Sequence, residues 1–196
     1  MEKIKIACVG DSLTYGYLVK NREENCYPAQ LQRLLGAGYD VRNFGENGHT
    51  MSKEGDLPYW EHPKFQESSE FEPNMVLIML GTNDSKPFNW KGIDHYLATY
   101  REMIAHYQGL PSQPRVLLLT PPKVFTLPLH HVFSNIRENM VEVVAEGVRT
   151  LGRELDLTVI EVNLATANRG ECFPEDGIHT NALGAKLIAE TVYEAL

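Results

Sequence analysis

Met75-Val76-Leu77-Ile78-Met79-Leu80 runs straight into Gly81-Thr82-Asn83-Asp84. Six consecutive apolar residues closed by turn-forming ones predict a strand over residues 75–80 that is covered on both faces, as in a parallel sheet flanked by helices. The rest of the chain falls into step with it. Residues 3–9 alternate, with Ile4, Ile6 and Cys8 on one face and Lys3, Lys5 and Ala7 on the other, and predict a first strand. Residues 39–44, 115–120 and 158–162 predict three more. Helices are predicted between them over residues 27–36, 93–107, 133–154 and 182–196. The first of these has Pro28 near its start, Leu31, Leu34 and Leu35 on one face, and Gly36 as its stop. Five strands interleaved with helices predict an α/β fold, a three-layer α/β/α sandwich around a five-stranded, mostly parallel sheet. Its sites are expected outside the carboxyl ends of the strands. Residues 45–73 form the longest stretch read as irregular. With no repeat, low-complexity tract or linker, residues 1–196 read as one domain.

Composition narrows the classes of function. The 196 residues suffice for a substantial core without a disulfide or metal staple. Eighteen basic against 26 acidic residues give a net charge of −8, which argues against binding nucleic acid or an anionic membrane surface. No apolar run approaches the roughly 18 residues of a spanning helix. Met1-Glu2-Lys3 enters a strand without a signal-peptide pattern, so a cytoplasmic location is expected unless a signal was trimmed. Cys8, Cys26 and Cys172 lack metal-type spacing, and the adjacent pair His130-His131 would diverge on a strand and need not converge at a helix start. Neither a metal nor a disulfide framework is expected.

Four short motifs fall at strand ends or just before a helix: Gly10-Asp11-Ser12-Leu13, Asn43-Phe44-Gly45-Glu46-Asn47-Gly48, Gly81-Thr82-Asn83-Asp84 and Asp176-Gly177-Ile178-His179. Each alone is ordinary turn composition. Together they supply the parts of an acyl-transfer site. Ser12, behind Gly10 in a tight turn and beside Asp11, is placed as a nucleophile, and His179 is the base that would take its proton. Asp176, three residues before His179, can reach the imidazole Nδ1–H and fix its tautomer. The backbone N–H groups of Ser12 and Gly48 and the side-chain amide of Asn83 can receive an oxyanion. Asp84, an acceptor when ionised, cannot take that last role.

These motifs, in this order and spanning nearly the whole chain, resemble those of the GDSL-type esterases of the SGNH hydrolase superfamily, named for residues matching Ser12, Gly48, Asn83 and His179. The resemblance implies a flavodoxin-like fold, a serine-esterase mechanism and no cofactor. One departure is Thr180, where the family usually has proline after the histidine. It is expected to matter little, because proline would stiffen the turn without entering the reaction.

Two further segments, Gly55-Asp56-Leu57-Pro58-Tyr59-Trp60 and Ser85-Lys86-Pro87-Phe88-Asn89-Trp90, resemble those of carbohydrate O-acetylesterases, including sialate O-acetylesterase-like proteins. That resemblance implies a small acylated substrate, an acetylated sugar, with Tyr59, Trp60, Phe88 and Trp90 as aromatics able to stack on it. The other reading is an apolar cluster that anchors the long loop, and the two can hold for different residues. A lipid or thioester acylhydrolase with the same triad is the alternative activity. A carbohydrate-binding protein without turnover is the alternative class, which an intact Ser-His-Asp set disfavours.

Overall fold

In the computed structural model of the chain the described residues are 2–126 and 135–196, so His130 and His131 lie outside them. In chain order the elements are β1 (Ile4–Gly10), α1 (Ser12–Tyr15), α2 (Arg22–Asn25), α3 (Tyr27–Leu35), β2 (Tyr39–Gly45), α4 (Pro63–Glu70), β3 (Met75–Met79), α5 (Ile93–Gln108), β4 (Arg115–Leu119), α6 (Glu138–Leu155), β5 (Val159–Ile160), α7 (Val162–Ala165) and α8 (Ala182–Ala195). Short 3-10 turns add Tyr59–Glu61 and Gly170–Cys172. The five strands form one sheet in the order β2-β1-β3-β4-β5, and every pairing is parallel.

The apolar run that predicted a doubly covered strand divides its side chains between two cores. Val76 and Ile78 join Ala7, Val9, Val116 and Leu118 under α5 and α6, through Tyr96, Tyr100, Met103, Val144 and Val148. Leu77 and Met79 join Ile6, Cys8, Leu117 and Leu119 under α3 and α8, through Tyr27, Leu31, Ile188 and Val192. This is the three-layer sandwich. Among the described residues no helix is long and apolar enough to cross a membrane.

Three details depart from the sequence expectation. Residues 45–73 are not irregular throughout, since they contain α4. Its sequence, Pro-Lys-Phe-Gln-Glu-Ser-Ser-Glu, carries one large apolar residue, so no helical stripe is visible. The helix is specified instead by the His62 Nδ1 that caps the Lys64 N–H at 3.3 Å and by packing of Phe65 against Trp60 and Tyr107. In α3, the row Tyr27, Leu31, Leu35 at four-residue spacing faces the sheet, which turns Leu34 outward to 40% exposure. The helix predicted over 133–154 begins at Glu138, with Arg137 extended before it, and residues 133 and 134 lie outside the described set.

The sheet order places a topological switch point between β1 and β3, because the chain moves outward to β2 from one and to β4 from the other. Crevices at such points, beyond the carboxyl ends of the strands, are where α/β sheets bind ligands. Gly10 and Met79 are register partners at that edge, so the loops after β1 and β3 begin side by side.

Candidate active site

The residue after β1 turns at once into α1. Asp11 is its N-cap and accepts the Leu13 N–H through Oδ1 at 3.0 Å, while Ser12 opens the helical turn. This bend leaves no room behind it: a Cβ on Gly10 would lie 2.1 Å from Thr14 Oγ1 and 2.7 Å from the Met79 carbonyl oxygen. Gly10→Ala is therefore expected to destabilise the protein by about 1–3 kcal/mol, the usual cost of overpacking a fixed backbone. Urea unfolding of the variant checks this, and a midpoint equal to wild type would contradict the steric argument.

His179 arrives from the other end of the chain, on the loop between the Gly170–Cys172 turn and α8. Asp176 shapes that loop through Oδ1, which accepts the backbone N–H groups of Ile178 at 2.9 Å and His179 at 2.7 Å. Its Oδ2 accepts the His179 Nδ1–H in a short contact. That bond selects the tautomer whose Nε2 is an acceptor, and the Ser12 hydroxyl donates to Nε2 at 2.9 Å. Burial disfavours the Asp176 anion, but the His179 ring and the two backbone donors outweigh it and bring its pKa down to about 2. Asn181 closes the segment by capping α8, its Oδ1 accepting the Gly184 N–H at 3.0 Å.

Gly48 follows β2 in a left-handed conformation at φ 79°, which accounts for glycine there. The loop carrying it is held by the residues after β3. Asn83 Nδ2 donates to the His49 carbonyl at 3.1 Å, leaving its second amide hydrogen for the site. Asp84, which carries no obvious role in the sequence, grips the same loop with both oxygens, accepting the Met51 N–H at 2.9 Å and the Ser52 N–H at 2.8 Å. Asn89 holds Asn83 in turn, donating to its carbonyl at 3.0 Å while pairing twice with Asp56. From the opposite side Lys64 donates to the Gly45 carbonyl at 2.6 Å and pairs with Glu46 at 3.0 Å. Among the described residues no acceptor is seated on the backbone N–H of Ser12 or of Gly48.

Ser12, Gly48, Asn83, Asp176 and His179 all line one cavity of about 600 Å³. Of the four aromatics considered as substrate contacts, Phe88 lines it as well, at 52% exposure. Tyr59 does not: it is fully buried and its hydroxyl donates to the Phe44 carbonyl. Trp60 and Trp90 pack against the main core, and the Trp60 indole donates to the Met51 carbonyl at 2.8 Å. These three anchor the loop rather than face the cavity. The supporting residue Asp11 is buried, and its Oδ2 has no hydrogen-bond partner among the described residues. Burial pushes its pKa up to about 7, against the pull of the Leu13 N–H and of His179, and burial likewise raises Asp84 to about 6.

A carboxylate, an imidazole and a serine hydroxyl in line beside open backbone donors, at the switch point of a 2-1-3-4-5 sheet, make up the candidate active site of this three-layer α/β protein. The chain belongs to the GDSL-like lipase/acylhydrolase family, whose sequence profile matches residues 8–187. It is 33% identical to an acetylxylan esterase of Xylanibacter ruminicola over 212 aligned positions, covering all of this chain and 43% of the relative. The chain spans about half the length of the curated relatives it matches, between 43% and 56%. The fold is shared with a carbohydrate acetylesterase from Sinorhizobium meliloti, at a TM-score of 0.76 and 20% identity over 98% of this chain and 97% of the other. It is shared equally with an aryl esterase of M. smegmatis, at 0.74 and 21% over 98% and 99%.

Proposed function

We propose that this chain is a serine esterase that removes acetyl groups from a carbohydrate, with Ser12 as nucleophile, His179 as base and Asp176 as its orienting acid. The observation that carries the reading is the single line of contacts from Asp176 Oδ2 through the imidazole to Ser12 Oγ. Similarity to an acetylxylan esterase supports the substrate class.

In this mechanism His179 Nε2 takes the Ser12 proton as Oγ bonds to the acyl carbon, and the carbonyl oxygen becomes an oxyanion. The Ser12 and Gly48 N–H groups and the free Asn83 amide hydrogen receive that charge. The ester C–O bond then breaks, and the departing alcohol takes the proton from His179. Water attacks the acyl-enzyme, giving its proton to His179. The C–Oγ bond breaks, the acid leaves, and Ser12 recovers its proton.

Labelling with a fluorophosphonate followed by peptide mapping tests the nucleophile, and modification anywhere but Ser12 would overturn the assignment. Acetate release from acetylated xylo-oligosaccharides, set against release of longer acyl chains from lysophospholipid, tests the substrate class. Faster turnover of the lipid would favour the acylhydrolase alternative. Activity is expected to fall on acidification, because an imidazolium cannot accept the Ser12 proton, and a flat profile into acid would exclude a histidine base.

The contribution of Asp11 to stability should respond to pH in the opposite sense. A carboxyl whose folded-state pKa is raised stabilises the fold below its ordinary value of 3.8 and loses that contribution as pH rises through the folded value. Asp11 thus costs stability progressively up to about pH 7. Asp11→Asn keeps an oxygen for the Leu13 N–H and removes the charge. Its melting temperature is expected to gain on wild type as pH rises from about 4 to above 7. A constant gap across that range would show that Asp11 is not the source.

A further inference from the structure

The cavity has an apolar wall that the catalytic machinery leaves unused. Tyr17 and Leu18 line it at 45% and 44% exposure. The backbone there is not relaxed: Leu18 has φ 64°, a left-handed conformation that a branched-chain residue adopts at a cost. The segment is nevertheless fixed in place. The Tyr17 N–H donates to the Ser12 carbonyl at 3.0 Å, and the Val19 N–H returns to the Gly16 carbonyl at 3.2 Å. The Tyr17 ring stands edge-on to the His179 imidazole, with centroids 4.8 Å apart at 68°.

The chemistry of the step decides which half of the ester this wall meets. The carbonyl oxygen faces the donors of Gly48 and Asn83. The departing alcohol oxygen must instead come within hydrogen-bond reach of His179 Nε2, which protonates it. A ring packed on that imidazole therefore borders the alcohol, not the acyl group. Resting on the reading of Ser12 and His179 as nucleophile and base, we infer that Tyr17 is the specificity-determining residue for the alcohol side of the ester, its ring forming the surface against which the leaving sugar sits. Leu18 extends that surface outward.

The test uses esters that share acetate and differ in alcohol, an acetylated methyl xyloside and methyl acetate, with 4-nitrophenyl acetate and butyrate reporting acyl preference. Rates are normalised to active sites titrated with a fluorophosphonate, which removes any contribution from misfolded variant. In Tyr17→Ala the ratio of kcat/KM for the xyloside ester over methyl acetate is expected to fall at least about tenfold, the scale of a lost apolar contact. The loss should appear mainly in KM, and the acetate-to-butyrate ratio should hold. Tyr17→Phe is expected to preserve the alcohol ratio, because the ring and not the hydroxyl makes the surface. An equal loss on both alcohols would reduce Tyr17 to a prop for His179 and overturn the inference. A change in acetate-to-butyrate preference would place it on the acyl side and overturn it too. Failure of the underlying reading is distinguishable, since wild type would then hydrolyse acetate esters without labelling at Ser12.

Discussion

Ser12→Ala is expected to lower kcat on an aryl acetate by about 10⁴–10⁶-fold, the range lost when a serine-hydrolase nucleophile is removed. The size follows from how little else could substitute. Ser12 Oγ is the hydroxyl seated on His179 Nε2, whereas its helical neighbour Thr14 is fully buried and donates to Tyr27. The fold should survive the change. The cap of α1 belongs to Asp11 rather than to Ser12, and the deleted hydroxyl leaves behind a histidine that still holds Asp176. Steady-state kinetics with a melting curve on the same preparation checks both halves. Turnover within tenfold of wild type, in a protein that melts normally, would remove Ser12 from the mechanism.

Asn83→Ala carries the second large effect, a fall of about 10²–10³-fold in kcat with little change in KM, as for other oxyanion donors. A donor that acts on the developing oxyanion stabilises the transition state more than the bound ester, so the loss belongs in kcat. Asn83 has a second attachment, its bond to the His49 carbonyl, and Asp84→Asn separates the two roles. That variant keeps Asn83 but offers one oxygen where two backbone N–H groups now bind, so the Met51–Ser52 segment loosens. A smaller fall in kcat with a lower melting temperature is expected there. If Asp84→Asn matched Asn83→Ala in kcat, positioning of the loop and not the amide itself would dominate.

The parts of this site that could be read from sequence are those set by position along a strand. The run from Met75 to Leu80 announces a buried parallel strand because both of its faces are apolar, and whatever follows such a strand lands on the rim. Ser12, Gly48 and Asn83 all follow strands in this way, and Asp176 precedes His179 by the three residues that let its carboxylate reach the ring. What escaped depends on contacts between distant segments. An ionised Asp84 cannot donate to an oxyanion, and what it does do, accept from Met51 and Ser52 over thirty positions away, leaves no local mark. Asn89 and Lys64 brace the same loop without any local pattern to mark them. The aromatics show the limit from the other direction. Tyr59, Trp60 and Phe88 are alike as loop residues in sequence, and only the hydroxyl bond to Phe44 and the indole bond to Met51 separate two anchors from one exposed ring.

Ser12 and His179, the proposed nucleophile and base, stand 167 positions apart in the chain, and the residues from Asp176 to His179 lead directly into α8. That helix is docked on α3 through its apolar face and through Gln30, whose amide donates to the Ala182 carbonyl at 3.0 Å. Because the acid travels with the base on this one loop, peeling the last helix from the sheet withdraws both together and leaves the serine alone. On the proposed mechanism, hydrolysis would then serve as a gauge of whether that helix is seated.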